Sequence, residues 1–491
     1  MTPLLVQEYS SGHTPESLAQ LLQGEPGCVL LQSALFDRGQ GRCSFVTARP
    51  FLTFESRGAA CKIADSTGSG EFQFGNPWSS LERLMERFEV LDELDLPFPL
   101  GGCFGFWGYD LKNFSEPKLS RRAVADLEIP DCCAGFYGSL VAFDHTLGKQ
   151  WIISTGISPD GSRSESVARK ELDEWKSRLE SSPLDLPALR RSHAVFQRNG
   201  RLEFASTFSR ERFIQAVSAA QAYICAGDIY QVNLSQRLSL PAVMPSWELY
   251  LRLTERSPSD FAAFLNCGSF QLASSSPERF LRLSGSHIQT RPIKGTRPRS
   301  ADPMRDAQLS YELQTSPKET AELIMITDLL RNDLGKVCQY GSVQVPELIR
   351  LERFAQVQHL VSTVEGELRP GISHLGALEA CFPGGSITGA PKFRAMEIID
   401  ELEPVTRGPY TGCLGYIGFN RESQLSITIR TALCRAEQIY FHVGAGIVAD
   451  SSPEAEYEET LTKGSGLCAA LEMEFDFPMA WCKKPVALPA P

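Results

Sequence analysis

From Ile229 to Leu238 the chain reads IYQVNLSQRL and alternates with a period of two. Tyr230, Val232 and Leu234 point one way, and Gln231, Asn233, Ser235 and Arg237 the other. Such a strand has one core face and one face toward something polar. Segments of the same kind recur at SFQLASSS, HIQTRPI, TGCLGYIGF, LSITIRTAL and IYFHVGAGIV, joined by hairpin-length connections and not in strict alternation with helices. The expected fold is α+β, with large, mostly antiparallel sheets packed as a sandwich and flanked by helices.

The first half carries shorter strands, CVLLQSA, CSFVTA and PFLTFES, then a helix around Leu81 and a hairpin at VAFDHTLGKQWII. Between Ser158 and Gln197 the composition turns to Ser, Pro, Arg and Glu around one helix, whose Ala168, Leu172, Trp175 and Leu179 make a narrow apolar stripe. A boundary placed there divides the chain into an N-terminal unit over 1–195, a second unit over 196–475 and a Pro-rich tail over 476–491. The second unit opens on a helix with Phe213, Val217, Ala220 and Ile224 on one face.

Composition narrows the function. Lys and Arg number 48 against 59 Asp and Glu, a formal charge of -11, which argues against a nucleic-acid-binding face. No apolar run approaches the ~20 residues of a membrane span. The 14 cysteines show no C-x-x-C pair, and the opening residues show no export signal, so reduced thiols in a cytoplasmic protein are expected.

Two Ser-Pro helix starts carry matched acidic pairs. In SPKETAELIMITDLLRND, Ser316 suits the cap, Pro317 the first turn, and Glu319 and Glu322 share a face; in SSPEAEYEETLTKG, Ser452, Pro453, Glu456 and Glu459 repeat the arrangement. Four carboxylates could offer Mg²⁺ its hard oxygen ligands. Equally, Glu319 completes a capping box and acids favour helix N-termini in general. Lys294 in TRPIKGTRPRS sits among Arg291, Arg297 and Arg299; it is either a nucleophile whose amine is kept neutral by neighbouring cations, or part of a solvated basic loop. FPGGSITGAPK offers a Gly-rich turn entering a helix near Pro391, with N–H groups for an anion. Gly444 and Gly446 in VGAGIV mark either close approach by a ligand or a bulge. Arg430 falls on the polar face of LSITIRTAL, a natural fork for a carboxylate. Glu278 in SSSPERF and His359 in VQHLVSTVEG fit either a catalytic or a structural role. Together these residues suggest a Mg²⁺-assisted site for a small carboxylate, with a lysine nucleophile.

GDIYQVNLSQR, SSPERF, PIKGTRPR, ELIMITDLLRNDLG, FPGGSITGAPK, IRTA and GAGIVADSSPEAEYEET resemble, in order and spacing, the successive motifs of chorismate-utilising enzymes across Phe204 to Gly466. LLQSALFD and GRCSFVTARP resemble the family's more variable N-terminal half. Within the family, anthranilate synthases usually have Ala where this chain has Lys294; the lysine is similar to that of the aminating subunit of aminodeoxychorismate synthases. That resemblance implies folate and 4-aminobenzoate biosynthesis, with anthranilate synthase component I as the alternative. Isochorismate and salicylate synthases carry a lysine in place of Gln231, so water addition at C2 is not expected.

The resemblance implies the following roles. Glu322 and Glu459 bind Mg²⁺, assisted by Glu319 and Glu456, and the metal holds the ring carboxylate of chorismate. Gly295, Thr296, Tyr410, Arg430, Gly444, Ala445 and Gly446 line the substrate pocket, with His359 near the ring. Lys294 attacks C2 while Glu278 protonates the departing C4 hydroxyl, and ammonia then adds at C4 and expels the lysine. No glutaminase region with a Cys nucleophile is present, so ammonia is expected from a separate glutaminase subunit in a heterodimer. Ser33 matches a serine that contacts tryptophan in the family's N-terminal half, with SPSDFAAFL as the second wall. Asp260 departs from that pattern, and the alternative is a cavity filled by side chains.

Overall fold

The computed structural model describes residues 3–33, 42–90, 96–183, 204–353 and 357–471. Two 12-stranded sheets form it, and every strand pair in their ladders is antiparallel. The first runs from Leu5–Tyr9 at one edge through Lys149–Ser154, Ser139–Asp144, Cys43–Thr47 and Val29–Gln32. It continues through Phe261–Asn266, Gln271–Ser276, Thr431–Arg435 and Gln438–Ile447 to Gln231–Pro241. The second sheet runs from Ile293–Pro298 through Val357–Glu367, His287–Arg291, Arg279–Ser284, Glu422–Ile427 and Cys413–Gly418 to Gly102–Trp107, and after three more strands ends at Gly70–Phe74. The α+β sandwich expected from the strand pattern is therefore present.

Val29, Phe45, Phe104, Phe106, Tyr137, Leu272, Leu414 and Tyr416 interdigitate between the sheets. Helices cover the outer faces. The Glu165–Leu179 helix buries Ala168, Leu172, Trp175 and Leu179, the stripe read from its period. Each large apolar side chain removed from water in this way stabilises by about 1.5–3 kcal/mol. The helices Pro77–Arg87, Pro317–Gly335 and His374–Cys381 pack on the second sheet in the same manner.

Both sheets draw strands from each side of residue 195. Val29–Gln32 pairs with Phe261–Asn266, and Gly102–Trp107 with Cys413–Gly418. The two units read from composition thus share both sheets; the boundary at 195 and the tail 476–491 lie outside the described residues. Among the described residues, thirteen cysteines are free thiols, most of them buried. Among the described residues, no helix is long and apolar enough to cross a membrane.

Two neighbouring strands change sheet at adjacent points. Gln271–Ser276 belongs to the first sheet and its continuation, Arg279–Ser284, to the second; Glu422–Ile427 belongs to the second and Thr431–Arg435 to the first. The corners hydrogen-bond to each other, Ser275 N to Arg430 O at 3.1 Å and Ile427 N to Glu278 O at 3.0 Å.

Candidate functional site

These corners set Glu278 and Arg430 side by side. Arg430 does not lie on a strand face, as its alternating segment suggested. It follows the end of the strand and turns the chain with φ 50°, in the left-handed region. Arg430 is exposed, yet the protein around it lowers its proton affinity against the opposing pull of Glu278. Glu278 is buried, and burial raises its carboxyl above the usual range. A hydrogen bond from Ser386 and the charges of Lys294 and Arg430 act in the opposite direction.

Lys294 lies on the edge strand Ile293–Pro298, with Nζ 3.5 Å from the carbonyl oxygen of Ser386. The cations beside it in sequence do not crowd it, contrary to the reading from composition. Arg291 pairs with Glu352, Arg297 with Glu319 at 3.5 Å and Arg299 with Asp306 at 2.9 Å. Lys294 instead lies within electrostatic reach of Glu278 and Glu322. Next to it, Gly295 takes φ 63° at a bulge between the pairs Lys294–Leu360 and Thr296–His359. A Cβ there would stand 2.6 Å from Leu313 Cδ1 and 3.0 Å from Glu319 Oε2, so only glycine fits. The bulge presents Thr296 Oγ1 to His359 Nδ1 at 2.9 Å.

The two acidic helix starts meet in space. Glu322 feels both Glu319 and Glu459, and Lys318 acts on Glu322 and Glu456 together. Burial first, then like charge, raises the carboxyls of Glu322 and Glu456. Proline occupies the first turn of both helices, and Ser316 accepts from Glu319 N at 3.4 Å, but the Glu319 carboxylate pairs with Arg297. Ser452 makes no side-chain cap bond, a departure from the expected pattern, while the adjacent Ser451 donates to Glu456 at 2.6 Å. Glu459 pairs with Lys463 at 2.8 Å. Excess negative charge and hard oxygen donors suit Mg²⁺, which needs only one or two protein carboxylates beside waters and substrate oxygens. Among the described residues, no three ligating groups crowd closely enough to enclose a cation unaided.

A third wall comes from the polar face of Gln231–Pro241. Gly446 lies opposite Asn233 and Gly444 opposite Ser235 in an unbroken register, so the glycines mark close approach and not a bulge. A Cβ on Gly444 would meet Tyr410 Oη at 2.7 Å, and one on Gly446 would meet Gln231 Nε2 at 2.4 Å. Ala445 turns its methyl into the core and can offer only its backbone to the site. Behind this wall lies a buried pair that sequence reasoning missed. Arg407 binds Glu403 at 2.6 and 2.9 Å, Thr411 Oγ1 at 3.1 Å and the Asn233 carbonyl at 2.7 Å. Glu403 also accepts from Ser235 N and Oγ. The i,i+4 spacing of Glu403 and Arg407 was the only signal of it. Ser386 was quoted within a motif but not singled out; its turn offers Lys294 a carbonyl acceptor where N–H donors for an anion were expected.

Away from these residues, Ser33 and Asp260 line one pocket with Phe45, Phe261, Tyr416 and Gln424. The two walls expected around an amino acid are thus brought together.

The sequence profile of the chorismate binding enzyme family matches residues 37–469. Anthranilate synthase component 1 of Synechocystis sp. is 38% identical over 467 residues, covering 92% of each chain. Aminodeoxychorismate synthase component 1 of Escherichia coli is 37% identical over 449 residues, covering 91% of this chain and 94% of the relative. Among solved structures, anthranilate synthase component I from Streptococcus pneumoniae superposes with a TM-score of 0.75 at 30% identity, covering 88% of this chain and 94% of the other. With the motif-bearing strands and corners assembled as described, this chain belongs to the chorismate-binding enzymes.

Proposed function

We propose that the chain aminates chorismate at C4, as the large subunit of an aminodeoxychorismate synthase supplied with ammonia by a glutaminase partner. The observation that carries this reading is the placement of Lys294 within electrostatic reach of Glu278, with its Nζ 3.5 Å from the Ser386 carbonyl. Relatives named as component 1 of two-component synthases support a partner.

A proton passed from the Lys294 ammonium to the Glu278 carboxylate leaves a neutral amine and a carboxylic acid, the forms the reaction requires. The amine attacks C2 of chorismate, the ring double bonds shift, and the C4 hydroxyl leaves as water with the proton of Glu278. Ammonia then adds at C4, the double bonds return, the C2–N bond breaks to release neutral Lys294, and the new ammonium at C4 returns a proton to Glu278. Chorismate and ammonia have become 4-amino-4-deoxychorismate and water. Arg430 and the backbone at Gly444–Gly446 would grip a substrate carboxylate, and His359 and Thr296 would border the ring. Mg²⁺ would be held by Glu322 and Glu459, with Glu319 and Glu456 assisting, and would offset the substrate's charge.

Anthranilate synthesis is the second reading, favoured by relatives of equal similarity that bear that name. Incubating the purified chain with chorismate, ammonium and Mg²⁺ separates the two. The expected product is 4-amino-4-deoxychorismate without pyruvate; anthranilate with pyruvate would overturn the assignment.

A further inference from the structure

We infer that His442 is a positioning residue whose ring keeps Tyr410 flat along its strand, with the tyrosine hydroxyl at the glycine wall where a substrate carboxylate is to be held. The inference rests on the reading of that wall given above. Gly446, Gly444 and His442 lie two apart on the strand Gln438–Ile447 and pair in register with Asn233, Ser235 and Arg237. Alternation puts all three on one face, so His442 is the first side chain on that face beyond the two glycines. Its ring stacks on that of Tyr410, with centroids 4.9 Å apart and planes 10° apart. The same tyrosine brings Oη to 2.7 Å from where a Cβ on Gly444 would stand. The phenol therefore lies lengthwise along the strand, its ring on His442 and its hydroxyl at Gly444.

The backbone at Tyr410 is anchored without His442. Tyr410 N donates to Arg407 O at 3.2 Å, and the next residue, Thr411, takes φ 58° and donates its N–H to Thr428 O at 2.8 Å. The direction of the ring is a separate matter. Arg407, itself held by Glu403, places its guanidinium carbon 5.6 Å from the ring centroid, and the flat support comes from His442. A pocket lined by Arg407, Tyr410, Thr428, Tyr440 and His442 adjoins the stack, so loss of the imidazole gives the phenol room to turn off Gly444. His442 Nε2 is buried and has no hydrogen-bond partner among the described residues. What His442 offers Tyr410 is thus the face of its ring. Burial, then the cations Arg237 and Arg407, hold its proton affinity well below the ordinary range, which keeps that face uncharged beside Arg407.

Chorismate binding to the full chain should be measured by calorimetry with Mg²⁺ present, alongside ammonia-dependent turnover. His442→Ala removes the support and is expected to weaken chorismate binding and raise KM by roughly tenfold, the worth of one hydrogen bond to a charged group. Its kcat should stay within about threefold, because Lys294 and Glu278 are untouched. His442→Phe keeps a flat, uncharged ring and should restore the affinity, although it has no ring nitrogen. Tyr410→Phe removes the hydroxyl that the stack positions, so adding His442→Ala to it should cost no more than about twofold further. Where the alanine variant does not fold, His442→Leu fills the space without a ring and should weaken binding in the same way.

Wild-type affinity in a folded ringless variant would overturn the inference, as would a His442→Phe enzyme that binds as weakly as the alanine variant. Equal losses from His442→Ala with and without the Tyr410 hydroxyl would do the same, since His442 would then act by another route. The underlying reaction fails separately. If the wild type yields anthranilate, the amination reading is wrong, while weakened chorismate binding in His442→Ala still supports the hold on Tyr410. If the wild type binds no chorismate, both fall.

Discussion

Thr296 Oγ1 and His359 Nδ1 face each other at 2.9 Å across neighbouring strands, and the Gly295 carbonyl lies 3.3 Å from the same nitrogen. A carbonyl can only accept, so this arrangement places the imidazole proton on Nδ1. Burial pushes His359 down to about 4, against the Gly295 bond and with help from Arg430; burial likewise pushes His374 down to about 4. Both rings are therefore neutral in the folded protein at pH 7. A histidine with a depressed folded pKa stabilises the fold above its unfolded value near 6.5, and that stability is lost as pH falls from there toward 4. Each should contribute up to about 3 kcal/mol. Urea midpoints measured from pH 7 to pH 4.5 should fall, and histidine NMR shifts should show neither ring titrating near 6.5.

Lys294→Ala should reduce ammonia-dependent turnover by a factor on the order of 10³ or more, because the two-step displacement loses its nucleophile. Chorismate binding measured by calorimetry in the presence of Mg²⁺ should persist, since Arg430 and the glycine wall are untouched. Wild-type turnover in this variant would remove the covalent step.

Glu322→Gln is expected to act in opposite directions on metal dependence and stability. The Mg²⁺ concentration for half-maximal activity should rise at least roughly tenfold. Burial and the charges of Glu319 and Glu459 disfavour the ionised carboxylate, so the neutral amide should raise Tm when Mg²⁺ is withheld. An unchanged metal requirement would remove Glu322 from the ligands.

Arg407→Met should destabilise the chain by about 3–5 kcal/mol, because Glu403 would be left charged and buried with only Ser235 as donor. Adding Glu403→Leu should recover much of that loss, since an apolar pair removes the stranded charge. A double-mutant cycle in urea reads the coupling directly.

Much of the sandwich was legible because burial on one face leaves a period of two: Val232 and Leu234 are wholly buried, as their alternation required. The same rule misled at both ends of a strand. Tyr230 stands before the ladder and is 71% exposed. Ile429 keeps the period of Leu425 and Ile427 after the strand has ended at Ile427, which hid the corner at Arg430. Local composition also misjudged Lys294, since its flanking arginines find partners as remote as Glu352, and no single sequence reveals such pairings. The acidic pairs were visible because helix-start chemistry is local; their mutual approach was not, because it depends on how the Pro317–Gly335 and Pro453–Lys463 helices dock.

The sharing of both sheets between the two halves has a consequence for synthesis. Val29 finds its partner in Leu265, and Cys103 in Ile417, so strands made early wait for strands made late. A nascent chain that has emerged only to residue 183 carries two open strand edges, along Val29–Gln32 and Gly102–Trp107, that nothing yet synthesised can cover. Folding is therefore committed late, governed by long-range pairing and not by completion of the first half. Until then those edges must be kept from pairing with the edges of other nascent chains.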